Sequence, residues 1–222
     1  MQNKRLEKVA NLISNVNVLA DIGTDHGYLP IELVKSKKVN FVYAADINEK
    51  PLNSAKSNIK NAGLDNSKIE TILSNGISFI NERKLKVDIV TITGLGTSTM
   101  IDIIENDSPY ISEYIFCSNT EVSSLREWSN KNNFSIKKED FFLDNNKKYW
   151  LIWIDKKNNH KVSNTLLGDF VELKNNLEYI KYLNYEIKKY ENIISKITND
   201  NSRMIYFENL VNQIKEYINE IG

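Results

Sequence analysis

Seven residues constrain this chain more than any others: Asn17-Val18-Leu19-Ala20-Asp21-Ile22-Gly23, a short apolar run that stops on an acid and a glycine. A run of that length without polar alternation reads as a strand covered on both faces, the habit of parallel sheets. Glycine at its end lets the backbone turn tightly into the next helix and leaves room for a ligand there. The same unit returns along the first two thirds of the chain. A helix with Leu6, Val9, Ala10 and Ile13 at helical spacing precedes the strand, and a helix over Tyr28 to Lys37 follows it. Next come a strand over Phe41 to Asp46, a helix opened by Pro51 and stopped at Gly63, and strands at Ile69–Leu73 and Val87–Thr93. Met100, Ile101 and Ile104 mark a helix ending before Pro109, Tyr114–Cys117 is a fifth strand, and Leu125 and Trp128 lie on the helix after it. Such alternation with short links predicts a mostly parallel α/β sheet with helices on both faces.

The pattern then changes twice. Ser135–Leu143 and Lys148–Ile154 read as a hairpin that gives the sheet an antiparallel edge. Beyond a polar, linker-like stretch at Lys156–Asn159, apolar residues recur three or four apart from Phe170 to Ile197, and again from Met204 to Ile221. This spacing predicts an antiparallel, coiled-coil-like helical hairpin, so the chain divides into an α/β domain at 1–157 and a helical domain at 158–222.

Composition excludes more than it assigns. Lys plus Arg and Asp plus Glu number 29 each, so affinity for nucleic acid has to come from local patches. The single cysteine, Cys117, supports neither a disulfide nor a metal cluster, which fits a reducing, cytoplasmic setting. No apolar run is long enough to span a bilayer, no metal site is expected, and no obligatory protein partner is evident.

The chemistry concentrates at the strand ends. After the first strand stands Asp21-Ile22-Gly23-Thr24-Asp25-His26-Gly27-Tyr28. A dinucleotide site calls for G-x-G-x-x-G facing a pyrophosphate; here Asp25 occupies the place of the second glycine. An anionic side chain disfavours a pyrophosphate and favours a sulfonium and an amino group, so S-adenosylmethionine is the expected cofactor. Asp46, with Ile47 behind it, ends the second strand where a carboxylate accepts both ribose hydroxyls. Asn75 and Gly76 follow the third strand, within reach of an adenine ring. Gly94 opens the loop Thr93-Gly94-Leu95-Gly96-Thr97 after the fourth. Asp21, Gly23, His26, Asp46, Ile47, Asn75, Gly76 and Gly94 are therefore the candidate cofactor contacts. Other readings of the same residues remain: a strand-end acid that caps a helix at Asp46, a plain turn at Asn75, and a packing role for His26 or Tyr28.

The run Leu19-Ala20-Asp21-Ile22-Gly23-Thr24-Asp25-His26-Gly27-Tyr28-Leu29-Pro30 resembles the D-I-G-S/T-D-H-A/G-Y-L-P segment of bacterial tRNA (adenine-22) N1-methyltransferases. The glycine loop after the fourth strand, the Leu125-Arg126-Glu127-Trp128 helix and the C-terminal helix pair occur in the family's order, so the likeness covers nearly the whole chain. It implies a Rossmann-like class I methyltransferase that moves a methyl group to adenine N1 in the D-loop of transfer RNA. Asp25 would stabilise the cationic product and Tyr28 hold the base. Lys181, Lys188, Lys189, Lys196, Arg203 and Lys215 of the hairpin would reach phosphates; without the likeness these cations, interspersed with Glu172, Glu178, Glu186 and Glu191, read as a solvated face. The chain departs from the family at three places. Leu95 and Thr97 stand where Met and Gly are usual, Asn75 where Asp is common, and Cys117-Ser118-Asn119 where Gln-Pro-Asn follows the fifth strand. Two other readings use the same pocket: methylation of a small molecule or protein, and cofactor binding without catalysis.

Overall fold

The computed structural model describes residues 3–220. Seven strands form one sheet in the order β3-β2-β1-β4-β5-β7-β6. They are β1 (Val16–Ile22), β2 (Val39–Asp46), β3 (Ile69–Leu73), β4 (Val87–Thr93), β5 (Ile111–Ser118), β6 (Ser135–Asp144) and β7 (Lys147–Asp155). The first five run parallel, and β7 joins β5 antiparallel. The expected α/β architecture is thus present, with the chain reversing direction across the sheet between β1 and β4. Such a reversal opens a crevice above the strand ends.

Burial explains why these runs are strands. Leu19, Ala20, Val42, Ala44, Ala45, Val90, Ile92, Ile115 and Phe116 are all wholly buried, so neighbours on one strand face opposite cores. One core packs helices α1 (Lys4–Leu12), α2 (Tyr28–Lys35) and α3 (Glu49–Asn61) on the sheet. The other face receives α4 (Ser78–Arg83), α5 (Thr97–Ile104), α6 (Ser123–Lys131) and the C-terminal helices. The helix α4 has no counterpart in the sequence expectations, because six residues are too few to show a helical period. Pro51 lies within the first turn of α3 rather than opening it. Its missing N–H is harmless anywhere in that turn. The β6–β7 link is Asn145-Asn146, both with positive φ, the pairing a two-residue hairpin of right-handed twist requires.

The C-terminal region departs most from expectation. The apolar run from Phe170 is not one helix: α7 (Val171–Lys174) stops, Asn176 caps a new start by accepting from the Glu178 and Tyr179 amides, and α8 spans Leu177–Ile194. The new phase exposes Leu177 and buries Tyr179, Leu183 and Ile187, while Ile197 lies beyond the helix. Helix α9 (Asn201–Asn219) packs back through Val211, Ile214 and Tyr217; Ile221 lies outside the described residues. These side chains continue the core of the sheet's own face. Residues 156–170 are a strap tied at each step rather than a free linker. Lys156 binds Asp107, the Asn130 side chain pairs both backbone groups of Val162, and Arg126 donates to the Thr165 and Leu166 carbonyls. Among the described residues no helix is long and apolar enough to cross a membrane.

Candidate cofactor and substrate site

The parallel register brings the strand ends level: Asp21 lies beside Ala44 and Thr91, and Asp46 beside Leu73. Asp21 is buried on the last turn of β1 and accepts the Thr91 hydroxyl at 2.7 Å. Burial pushes its carboxyl up to about 6; the Thr91 hydrogen bond and the Arg5 charge oppose that rise. Asp46 is also buried, and its two oxygens accept from the Asp25 amide at 3.3 Å and the Asn48 amide at 2.9 Å. It therefore ties the loop after β1 to the loop after β2, and its remaining lone pairs are free for hydroxyl donors. The strand-end reading and the ribose reading of Asp46 are compatible.

Around these two acids the other candidates divide by exposure. Ile47 and Leu73 are large apolar residues left more than half exposed just past β2 and at the end of β3. Exposed aliphatic groups at that height offer faces between which a flat ring can lie; Leu73 was not singled out from sequence. Asn75 is exposed, whereas Gly76 is buried against Ile103 of α5. Asp25 has φ of 53°, a left-handed turn that aspartate tolerates, and its carboxylate points to solvent 3.6 Å from the His26 ring. The His26 ring stacks on that of Tyr28 at 5.4 Å, and both line an open depression shared with Glu49 and Asn53 of α3. Asp21, Gly23, Asp25, Asp46, Ile47 and Gly94 are gathered over the crevice; His26 and Tyr28 stand at its outer rim.

One residue was missed. Arg5, on the first turn of α1, carries its guanidinium across the end of β4. A Cβ at Gly94 would overlap that group, whose Cζ would be 2.7 Å away. Gly94, with φ of 81°, is therefore both the turn and the gap through which Arg5 enters. The Arg5 Nε is buried and unpaired, and the group sits 6.0 Å from the Tyr149 ring. In the sequence Arg5 is one of several charges on an amphipathic helix, and no local spacing marks it. Cys117 beneath the same loop is wholly buried, and that burial pushes its thiol up to about 12.

The methyltransferase-domain family matches residues 2–152. A solved structure of Mycoplasma capricolum TrmK with S-adenosyl-homocysteine is 41% identical, with a TM-score of 0.91 and full coverage of both chains. The chain belongs to the bacterial tRNA (adenine-22) N1-methyltransferase family. A curated relative, the tRNA (adenine(22)-N(1))-methyltransferase of Bacillus subtilis, is 28% identical over 88% of this chain and 85% of its own. The Streptococcus pneumoniae protein Sp1610, solved with S-adenosyl-L-methionine, is 27% identical with a TM-score of 0.86, covering 98% of this chain and all of its own.

The side chains of this methyltransferase fit the family's cofactor. Its positive sulfonium and ammonium meet a crevice bearing Asp21, Asp25 and Asp46, where a pyrophosphate would be repelled. Its one carboxylate would match the Arg5 guanidinium, whose Nε is buried without a hydrogen bond.

Proposed function

We propose that this protein transfers the methyl group of S-adenosylmethionine to N1 of an adenine in transfer RNA, adenine 22 of the D-loop. The observation that carries the reading is the set of acids at the ends of β1 and β2 with the Arg5 guanidinium lying across Gly94 at the end of β4, in a chain of this family. When bound, the sulfonium supplies an electrophilic methyl group and a neutral thioether as leaving group.

The protein's task is alignment and charge control. Asp46 would hold the ribose hydroxyls, Ile47 and Leu73 would flank the adenine ring of the cofactor, Arg5 would hold its carboxylate and Asp21 its ammonium. Adenine N1 carries a free lone pair at neutral pH, so attack needs no general base. Methyl transfer to N1 would leave the positive charge on the target base and a neutral thioether on the cofactor. Asp25, left-handed and solvent-facing at the crevice rim, stabilises that charge. It also accepts a proton from the exocyclic amine afterwards. Tyr28, more than half exposed, offers its ring to the extruded base.

Nucleoside mass spectrometry of transfer RNA incubated with the protein and S-adenosylmethionine tests the reading. The expected product is 1-methyladenosine at position 22; label in protein or small molecules with none in RNA overturns it.

A further inference from the structure

Between the C-terminal helix pair and the sheet lies a second cavity of about 260 Å³, which the activity above does not use. Its walls mix aromatic side chains, Trp150 from β7, Tyr182 and Tyr190 from α8 and Tyr206 from α9, with leucines and Ile214. Tyr182, Glu186 and Tyr190 are four residues apart on α8 and so share one face. Glu186 is the anomaly. It occupies a position where packing alone would be served by leucine, and it is only 4% exposed. One of its oxygens takes the Lys189 ammonium at 2.8 Å. The other is buried with no hydrogen bond, and the Lys148 ammonium stands 4.0 Å off. A buried carboxylate oxygen without a donor costs free energy that packing does not return.

The two lysines that flank Glu186 have the opposite character. Lys148 is held 4.7 Å over the Tyr182 ring, and Lys148 and Lys189 each leave nearly half their side chains in solvent. The rings of Tyr190 and Tyr206 suit a planar ring, the Glu186 oxygen that lacks a hydrogen bond suits an N–H donor, and the two ammoniums suit a phosphate. That is the donor set for one nucleotide unit. An acidic peptide would meet Glu186 and Glu121 inside, and an acyl chain would leave the buried carboxylate unsatisfied. One short segment links the cavity to the loop after β4. Thr120 holds the Thr97 amide at 2.8 Å on the crevice floor, and Glu121, the next residue, lines the cavity.

We propose that this cavity binds a second, unstacked nucleobase of the RNA substrate, one bearing an exocyclic amino group, with its phosphate on Lys148 and Lys189. The proposal rests on the transfer-RNA reading above and adds a specificity site outside the reaction centre.

The test compares two exposed tyrosines of the same hairpin in the full chain loaded with S-adenosyl-homocysteine. Tyr206 borders the cavity and Tyr185 does not, and both are about 60% exposed (59% and 63%), so neither substitution disturbs the core. Tyr206→Ala is expected to weaken transfer-RNA binding about 10-fold, the scale of one lost base stack. S-adenosyl-homocysteine affinity and Tm should not move, and Tyr185→Ala should stay within about twofold of the parent by the same comparison. Ultraviolet cross-linking of bound transfer RNA should map to the peptides holding Trp150, Tyr190 or Tyr206. Equal effects of the two substitutions, or cross-links confined to the outer lysines, overturn the cavity proposal while leaving methyl transfer intact. A parent protein that binds no transfer RNA overturns the functional reading as well.

Discussion

The hydroxyl of Thr97 lies 2.9 Å from that of Ser118. Both residues are departures from the pattern this chain otherwise resembles, Thr97 at the start of α5 and Ser118 at the end of β5, and they meet. Thr97 Oγ1 also donates to the Glu121 carbonyl at 2.7 Å, and the Thr97 amide donates to Thr120 Oγ1. The usual glycine and proline have no side chain able to make this link. A buried polar knot here braces the loop that forms the crevice floor, so the two changes are coupled rather than independent. Thr97→Val is expected to cost about 1–3 kcal/mol, the price of leaving buried partners unsatisfied. Combined with Ser118→Ala it should cost clearly less than the sum. Chemical denaturation of the four proteins measures the coupling, and strict additivity would break the link between the two departures.

The Arg126–Glu139 pair spans the other side of the fold. Its atoms are 2.6 Å apart with both side chains only 2% exposed, and Arg126 continues to the strap carbonyls of Thr165 and Leu166. Gly168 leaves no room for a side chain, since a Cβ there would overlap Glu139. Burial raises the Glu139 carboxyl, an effect the guanidinium opposes. Removing one partner strands the other in a dry site, so Arg126→Met should destabilise by about 3–5 kcal/mol. S-adenosyl-homocysteine affinity below the melting transition should be retained, because the pair supports the hairpin and not the crevice. A large loss of cofactor affinity in a folded Arg126→Met protein would contradict this division.

Asp21 makes the pH behaviour specific. Its carboxyl has a pKa near 6 in the folded chain against 3.8 for an ordinary aspartate, so the native state holds the proton more firmly. The stability this contributes is fully present below about 4 and is lost as pH rises through about 6, a change on the order of 2–3 kcal/mol. Asp21→Asn should remove that slope and raise Tm at pH 7.5. Cofactor affinity should move the other way. The charged carboxylate attracts the ammonium, so S-adenosyl-homocysteine should bind the parent more tightly at pH 7.5 than at pH 5, with the difference lost in Asp21→Asn. Calorimetry at the two pH values checks both signs, and pH-independent binding by the parent would remove Asp21 from the ammonium.

What the sequence revealed follows physical range. Asp21, Gly23 and Asp46 were legible because a strand-end acid or glycine follows an apolar run whose burial needs no tertiary knowledge. The hairpin Asn145-Asn146 was legible for the same local reason. Arg5 was not, because its meaning arises only when α1 lies across β4 and Gly94 leaves a gap. Glu186 was read as one of several acids on a solvated helix face, and it is buried. The apolar series through Leu183, Ile187 and Tyr190 does face the core; Glu186 lies next to Ile187 on that same face, and a charged side chain there carries no local sign that it is buried.

The Arg5 assignment can be isolated by removing the carboxylate from the ligand instead of from the protein. S-adenosyl-homocysteine and 5′-methylthioadenosine share the nucleoside and the thioether, and the latter lacks the amino-acid end. Arg5→Met keeps a stem of similar length against Tyr149 and deletes the fork. If Arg5 holds the carboxylate, Arg5→Met should weaken S-adenosyl-homocysteine about 10- to 100-fold, the scale of charge-assisted hydrogen bonds, and methylthioadenosine less than about threefold. Arg5→Lys should recover part of the loss, since a point charge replaces a bidentate fork incompletely. Equal weakening of both ligands would instead mean that Arg5 only packs the Gly94 gap, because a collapse of the crevice floor penalises any nucleoside thioether, with or without its carboxylate.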